Sequence, residues 1–201
     1  YKDNRFLDEE YIQTLEDMKE RSPLHYDVYA LGKWGSLGKK VFNNWTVQDF
    51  DVMELVKENP LLEETYGVDF GFVSDPSTLV ASLIDIPNRK LYIFDEMYEK
   101  GLLNNQLAQK IIDKGYRRKH IIADSAEQKS IAELKQYGLT SIEGAAKGAG
   151  SIAHGIQYLQ QFDIIIHPSC TFTIQEFENY SYKKDKKTGQ YLSQPIDDYN
   201  H

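Results

Sequence analysis

Between Tyr66 and His167 the chain changes rhythm once, and that change constrains the fold more than any other feature. Three strand-like runs come first: Tyr66 to Val73, Thr78 to Ile86 and Lys90 to Met97. Only the short turn signals Ser74-Asp75-Pro76 and Pro87-Asn88 separate them, which predicts an antiparallel meander. Helix and strand signals then alternate. Leu103, Leu107 and Ile111 have helical spacing within 102–114, and Gly115 ends that segment. A strand is predicted over His120 to Asp124, a helix over Glu127 to Tyr137 stopped by Gly138, and a short strand near Thr140 to Ile142. A helix over Ser151 to Gln161 and a strand over Asp163 to His167 complete the series. Such alternation demands parallel pairing with crossover connections. The expected class is therefore α/β: a mixed sheet of three antiparallel strands followed by parallel strands, with helices on both faces.

The flanks read differently. Asp8 is a candidate N-cap for a helix through Glu20, and Ser22-Pro23 opens a second one. Gly32, Gly35 and Gly38 then break the pattern, so residues 1–45 are expected to form a helical appendage and 46–201 the main domain. Phe172, Phe177, Tyr180 and Tyr182 suit a helix packed on the sheet, and Lys183 to Leu192 reads as a polar hairpin centred on Thr188-Gly189. No apolar run approaches the roughly 18 to 20 residues of a membrane helix, and no secretory signal is present. Cys170 is the single cysteine, which excludes an intramolecular disulfide and fits a reducing, intracellular setting. The formal net charge of −8 argues against non-specific coating of nucleic acid. Two local basic patches remain, Arg117-Arg118-Lys119 and Lys183, Lys184, Lys186 and Lys187.

Two carboxylates sit where strands disfavour them. In "YGVDFGF" the alternation of side chains places Val68, Phe70 and Phe72 on one face, and Gly67, Asp69 and Gly71 on the other. Asp69 thus has open space on its own face; the plainer reading is that it pairs with a lysine or caps a turn. Asp124 ends the next expected parallel strand, where ligands gather in open α/β sheets. Ser125 and Gln128 have the spacing of a capping box, which would leave Asp124 available. If the two strands are neighbours, the carboxylates repel unless a cation lies between them. Hard oxygen donors suit Mg2+ or Mn2+, and such a site can promote phosphodiester hydrolysis. "EGAAKGAGSI" lacks P-loop order but sets Lys147 and several glycines before a helix N-terminus, which favours phosphate. Glu96 is a further candidate ligand or a solvent-facing residue. His167 and Cys170 have ligand-like spacing without the second pair that zinc requires.

Taken in order, "GVDFGFVSDPSTL", "IIADSAEQKSI", "EGAAKGAGSIAHGI" and the closing "DDYNH" resemble the nuclease domain of the large terminase subunit of tailed bacteriophages. The resemblance runs from Tyr66 to His201, and residues Tyr1 to Gly35 are similar to that family's segment following its packaging ATPase; no Walker A sequence is present. It implies an RNase H-like fold and a Mg2+- or Mn2+-dependent endonuclease with two ions. That enzyme would cut concatemeric viral double-stranded DNA during genome packaging in the host bacterial cytoplasm, without strong sequence preference. Asp69 and Asp124 match the first two acidic metal ligands, and His201 matches the histidine of a closing N-H-x-x-D-A segment. The last aspartate of that segment would fall three residues past His201, so weak metal binding and impaired activity are expected of this polypeptide. Asp197 or Asp198 is the nearest substitute, although helical spacing does not favour either. Lys147, Arg117, Arg118, Lys183 and Lys184 are the expected DNA contacts. Portal protein, small terminase subunit and a packaging ATPase domain in cis are the implied partners, with no membrane. An actin-like or sugar-kinase-type ATPase, a transposase-type recombinase and a catalytically idle docking module are the alternatives.

Overall fold

The computed structural model describes residues 39–146, 148, 150–185 and 187–196. The expected N-terminal helices, Lys147, Lys186, Asp197, Asp198 and His201 lie outside the described residues. By Cα packing the described chain falls into two compact units, one of residues 44–174 and one combining 39–43 with 175–196.

The larger unit is built on a seven-stranded sheet. Its strands are β1 (Trp45–Val47), β2 (Glu63–Asp69), β3 (Ser77–Asp85), β4 (Lys90–Glu99), β5 (Ile121–Ala123), β6 (Ile142–Gly144) and β7 (Asp163–Ile166). The strand order is β1-β7-β4-β3-β2-β5-β6. As the turn signals predict, β2, β3 and β4 pair antiparallel, and β5 adds to β2 in parallel, followed by β6. β7 crosses to the far side and pairs parallel with β4, and β1 closes that edge.

Helices α1 (Val52–Glu58), α2 (Asn104–Asp113), α3 (Gln128–Gln136), α4 (Ser151–Leu159) and α5 (Thr171–Asn179) connect or follow the strands. Leu107, Ala108 and Ile111 of α2 and Ile131 and Leu134 of α3 are buried in one cluster with Tyr66, Val68, Leu79, Ala81, Ile121 and Ala123. The face of the sheet that carries Val68 and Ala123 is thus covered by α2 and α3. Across the opposite face, Tyr98 of β4 stacks on Phe172 at the start of α5, with ring centroids 4.4 Å apart. Helices therefore meet both faces, as expected. No described helix is long and apolar enough to cross a membrane.

In the smaller unit, β8 (Tyr182–Lys184) and β9 (Tyr191–Pro195) form the predicted hairpin. Its turn is held by the Asp185 carboxylate, which accepts the Lys187 and Thr188 amides at 2.7 Å, and by Gly189 at φ 69°. Lys40 bridges to Ser181 through the backbone, and Phe42 stacks on Phe177 at 5.1 Å.

Two local expectations need correction. β2 ends at Asp69 instead of continuing to Val73, because Gly71 is pressed against the Asp75 and Pro76 carbonyls and the chain turns there. The capping box at Ser125 is not formed: α3 starts at Gln128 with Glu127 as its cap, and the Gln128 side-chain Nε2 donates to the Ser125 carbonyl oxygen at 2.9 Å. The early position is taken by Asp124, whose Oδ1 accepts the Ala126 amide at 2.8 Å.

Candidate active site

Register decides whether the two carboxylates meet. β2 and β5 run parallel with Tyr66 opposite Ile121, Gly67 opposite Ile122 and Val68 opposite Ala123, and the Asp124 amide continues the ladder to the Val68 carbonyl at 3.1 Å. Asp69 and Asp124 therefore occupy the next rung, on strands spaced about 4.8 Å apart. Parallel partners project to the same face, so both point away from the α2–α3 side. Their row extends through Thr78, opposite Asp69 on β3, to Tyr98, opposite Thr78 on β4. At the other end, β6 brings Ala145 beside Asp124, with its amide on the Ala123 carbonyl at 2.8 Å.

Each carboxylate is half-buried and oriented by its own backbone. Asp69 Oδ1 accepts the Phe70 amide at 3.0 Å, as Asp124 Oδ1 accepts that of Ala126. The chain beyond Asp69 is fastened twice. The buried Ser77 hydroxyl donates to the Gly71 carbonyl at 2.8 Å and accepts the Gly71 amide at 3.3 Å. The Gly101 amide then donates to the Phe72 carbonyl at 2.7 Å. Beyond Asp124 the chain swings toward α3, and Gly144 makes room for it: a Cβ there would stand 2.9 Å from Gln128 Nε2 and 3.1 Å from Ser125 Cβ. One pleat below the pair, a Cβ on Gly67 would meet no heavy atom within 4 Å.

This arrangement fits a divalent cation. Two hard-oxygen donors stand on adjacent strands with open space beside Gly67 on the same face, a donor chemistry that would suit Mg2+ or Mn2+. Among the described residues no group of three or more potential metal ligands occurs.

The other candidates are distributed as follows. Glu96 shares the face of the pair, but its carboxylate accepts the Phe172 and Thr173 amides at 2.9 and 2.7 Å and the Thr173 hydroxyl at 2.8 Å. It caps α5. Arg117 and Arg118 lie in the turn before β5, at the opposite end of that strand from Asp124, with the Arg117 guanidinium against Gly138. Lys183 and Lys184 belong to the hairpin of the smaller unit, where Lys184 sits over the Tyr191 ring. His167 and Cys170 diverge: His167 bonds Asp49 at 3.0 Å and Ser169 at 2.6 Å, whereas Cys170 is buried and its thiol is pushed up to about 11, chiefly by burial. The Ser77–Gly71 clasp and the Tyr98–Phe172 stack were not anticipated; the first needs a contact across a turn that no strand pattern reveals.

The model of the terminase RNase H-like domain family matches residues 69–201. The chain belongs to that family. This terminase RNase H-like domain is similar to the large terminase subunit of Bacillus phage SPP1, with 33% identity over 191 residues covering 92% of the chain and 44% of that subunit. It is also similar to the PBSX phage terminase large subunit of Bacillus subtilis strain 168, at 30% identity over 92% of the chain and 43% of the relative. The chain thus spans less than half the length of the curated relatives it matches. Among solved structures it resembles the nuclease domain of the SPP1 large terminase, described with bound Mn: TM-score 0.72, 32% identity, 80% of this chain and 91% of that one.

Proposed function

We propose that this terminase RNase H-like domain is a divalent-metal-dependent endonuclease that hydrolyses double-stranded DNA during phage genome packaging. The observation that carries the reading is the shared rung of Asp69 and Asp124, two half-buried carboxylates on one face of adjacent parallel strands. The bound Mn of the SPP1 nuclease domain supports metal use. Asp69 and Asp124 would hold Mg2+ or Mn2+, two ions being the expected number. When bound, the metal supplies a water of lowered pKa and charge neutralisation on the scissile phosphate. The protein's own part is positioning. The Phe70 and Ala126 amides aim the carboxylates, the Ser77 clasp fixes the strand end, and the open face above Gly67 admits the phosphate.

Backbone holding falls first to Lys147, which in sequence lies between β6, whose end is beside Asp124, and α4. Lys183 and Lys184 are secondary contacts in this reading, and Arg117 and Arg118, at the far end of β5, are more remote. Nothing described reads base edges, so cutting is sequence-tolerant. His201 is the proposed match to the histidine of the family's closing segment and Asp198 a weaker substitute for its last aspartate, so this polypeptide is expected to bind metal weakly and to cut slowly. Portal protein, small terminase subunit and an ATPase domain in cis are the proposed partners.

The test is plasmid nicking with Mg2+ or Mn2+ by the wild-type chain and by Asp69→Ala and Asp124→Ala. Each substitution is expected to reduce the rate by at least about a hundredfold, in line with removing a group that stabilises transition-state charge. Wild-type-like cutting by either variant defeats the assignment. Metal-independent cutting defeats the mechanism.

A further inference from the structure

On the side of the sheet away from the carboxylate pair lies a groove of about 720 Å³, walled by the β2–β3 loop, the start of α2 and one flank of α3. We propose that it docks a basic amphipathic segment of a partner protein.

The groove collects apolar surface that the fold leaves in water. Phe72, Val73, Leu103 and Tyr137 line it at 52, 80, 55 and 48% exposure. This exposure is built in. Phe72 and Val73 follow the Gly71–Ser77 clasp, and the Phe72 carbonyl is tied to Gly101, so the loop is held with its apolar side chains outward. Apolar patches presented by a fixed backbone mark interaction sites.

Charge selects the occupant. Asp75, Glu127 and Glu133 line the same groove, and no lysine or arginine does among its described lining residues. The α2 N-terminus contributes roughly half a positive charge and the exposed Lys129 pairs loosely with Glu133 at 3.9 Å, which together leave the rim net acidic. DNA is repelled by such a rim. A second copy docking groove to groove would set like charges together, because a two-fold contact is self-complementary. A partner helix with apolar side chains on one face and Lys or Arg beside them satisfies both features, as in helix-in-groove recognition.

The groove is also joined to the site. Its walls include the loop that leaves Asp69 and the residue three positions after Asp124, so an occupant touches the segments that orient both carboxylates.

Fluorescence anisotropy with a labelled helical Lys/Leu peptide tests this at physiological ionic strength. A peptide of the same composition without amphipathic spacing and a Glu/Leu peptide serve as controls. Leu103→Ser keeps the fold, because serine is a better helix N-cap than leucine; Phe72→Ser is the second variant, and circular dichroism checks both. The Lys/Leu peptide is expected to bind the wild-type chain and to lose at least about tenfold in affinity with Leu103→Ser, Phe72→Ser or Glu127→Lys, a loss of about 1.4 kcal/mol. Both control peptides are expected to bind at least about tenfold more weakly. Equal binding of the non-amphipathic peptide, indifference to Leu103→Ser, or no binding at all overturns the proposal. So does a dimer that Leu103→Ser dissolves, or an oligonucleotide whose binding that change abolishes. Cleavage is not read, so failure of the nuclease assignment leaves the test intact.

Discussion

Gly67 and Gly71 lie four residues apart on either side of Asp69 and meet opposite surroundings. A Cβ at Gly71 would fall 2.2 Å from the Pro76 oxygen and 2.3 Å from that of Asp75, both backbone atoms. Gly71→Ala must therefore open the loop and release the Ser77 clasp, at a cost on the order of 2 kcal/mol. Thermal unfolding should show this loss, and Ser77→Ala, which deletes the hydroxyl and adds no bulk, should cost about 1–2 kcal/mol. Gly67 is the converse case, since nothing stands within 4 Å of its absent side chain. Valine suits a strand better than glycine, so Gly67→Val is expected to hold or raise the melting temperature. Yet it fills the hollow below the carboxylates, and plasmid nicking should fall by about tenfold or more through misplacement of the phosphate. Unchanged cutting would show that substrate approaches elsewhere.

At the scale of elements, the β3–β4 turn is organised by one buried carboxylate. Asp85 accepts the Asn88 amide at 3.0 Å, the Asn88 side chain at 2.9 Å and the Asn59 side chain at 2.7 Å. The Asn88 hydrogen bonds, foremost, hold its carboxyl below the usual carboxylate value. A depressed folded pKa contributes stability that is complete above the unfolded value, about 3.9, and vanishes as pH falls through the lower folded value. Asp85→Ala should therefore melt below wild type at neutral pH, and the gap should narrow on acidification below about pH 4. A gap constant across that range would refute the linkage. The Pro87-Asn88 signal made this turn legible in the sequence, and the meander and the βα alternation were equally plain. Shorter elements escaped. β1 has three residues, and α1 buries none of its side chains, so neither leaves an apolar period. β6 begins at Ile142, later than expected, because Leu139 ahead of it is buried in the core and 140–141 form a turn. That the strands ending at Asp69 and Asp124 are parallel neighbours was readable from the order of the runs. The capture of Glu96 by α5 was not, since it joins residues 76 apart.

Across the whole molecule, β2 carries the proposed metal site at one end and a stabilising network at the other. Three residues before Asp69, Tyr66 lies in register with Ala81 of β3, which lies in register with Asp95 of β4. The small alanine leaves room for Tyr116 from the α2–β5 connection to pack on Tyr66, with ring centroids 4.8 Å apart. Tyr66 donates to Glu64 at 3.0 Å and Tyr116 to Asp95 at 2.6 Å, while Lys119 pairs with Glu64 and Lys114 with Asp95. Burial first, then the carboxylate acceptors, push both phenols well above the ordinary tyrosine value. A raised folded pKa means that the stabilisation is complete below the unfolded value of about 10 and is lost as pH climbs toward the folded one. Of the 14 tyrosines, these two should resist ionisation in an alkaline absorbance titration until the chain unfolds. Tyr116→Phe should cost about 1 kcal/mol at neutral pH, because Asp95 loses a half-buried donor and keeps Lys114. The network stands about 10 Å down the strand from Asp69. Below its melting temperature the variant should therefore cut DNA at the wild-type rate. Ionisation of every tyrosine near pH 10 would show that the phenols are not held, and a cleavage loss without a stability loss would show that the two ends of β2 are coupled.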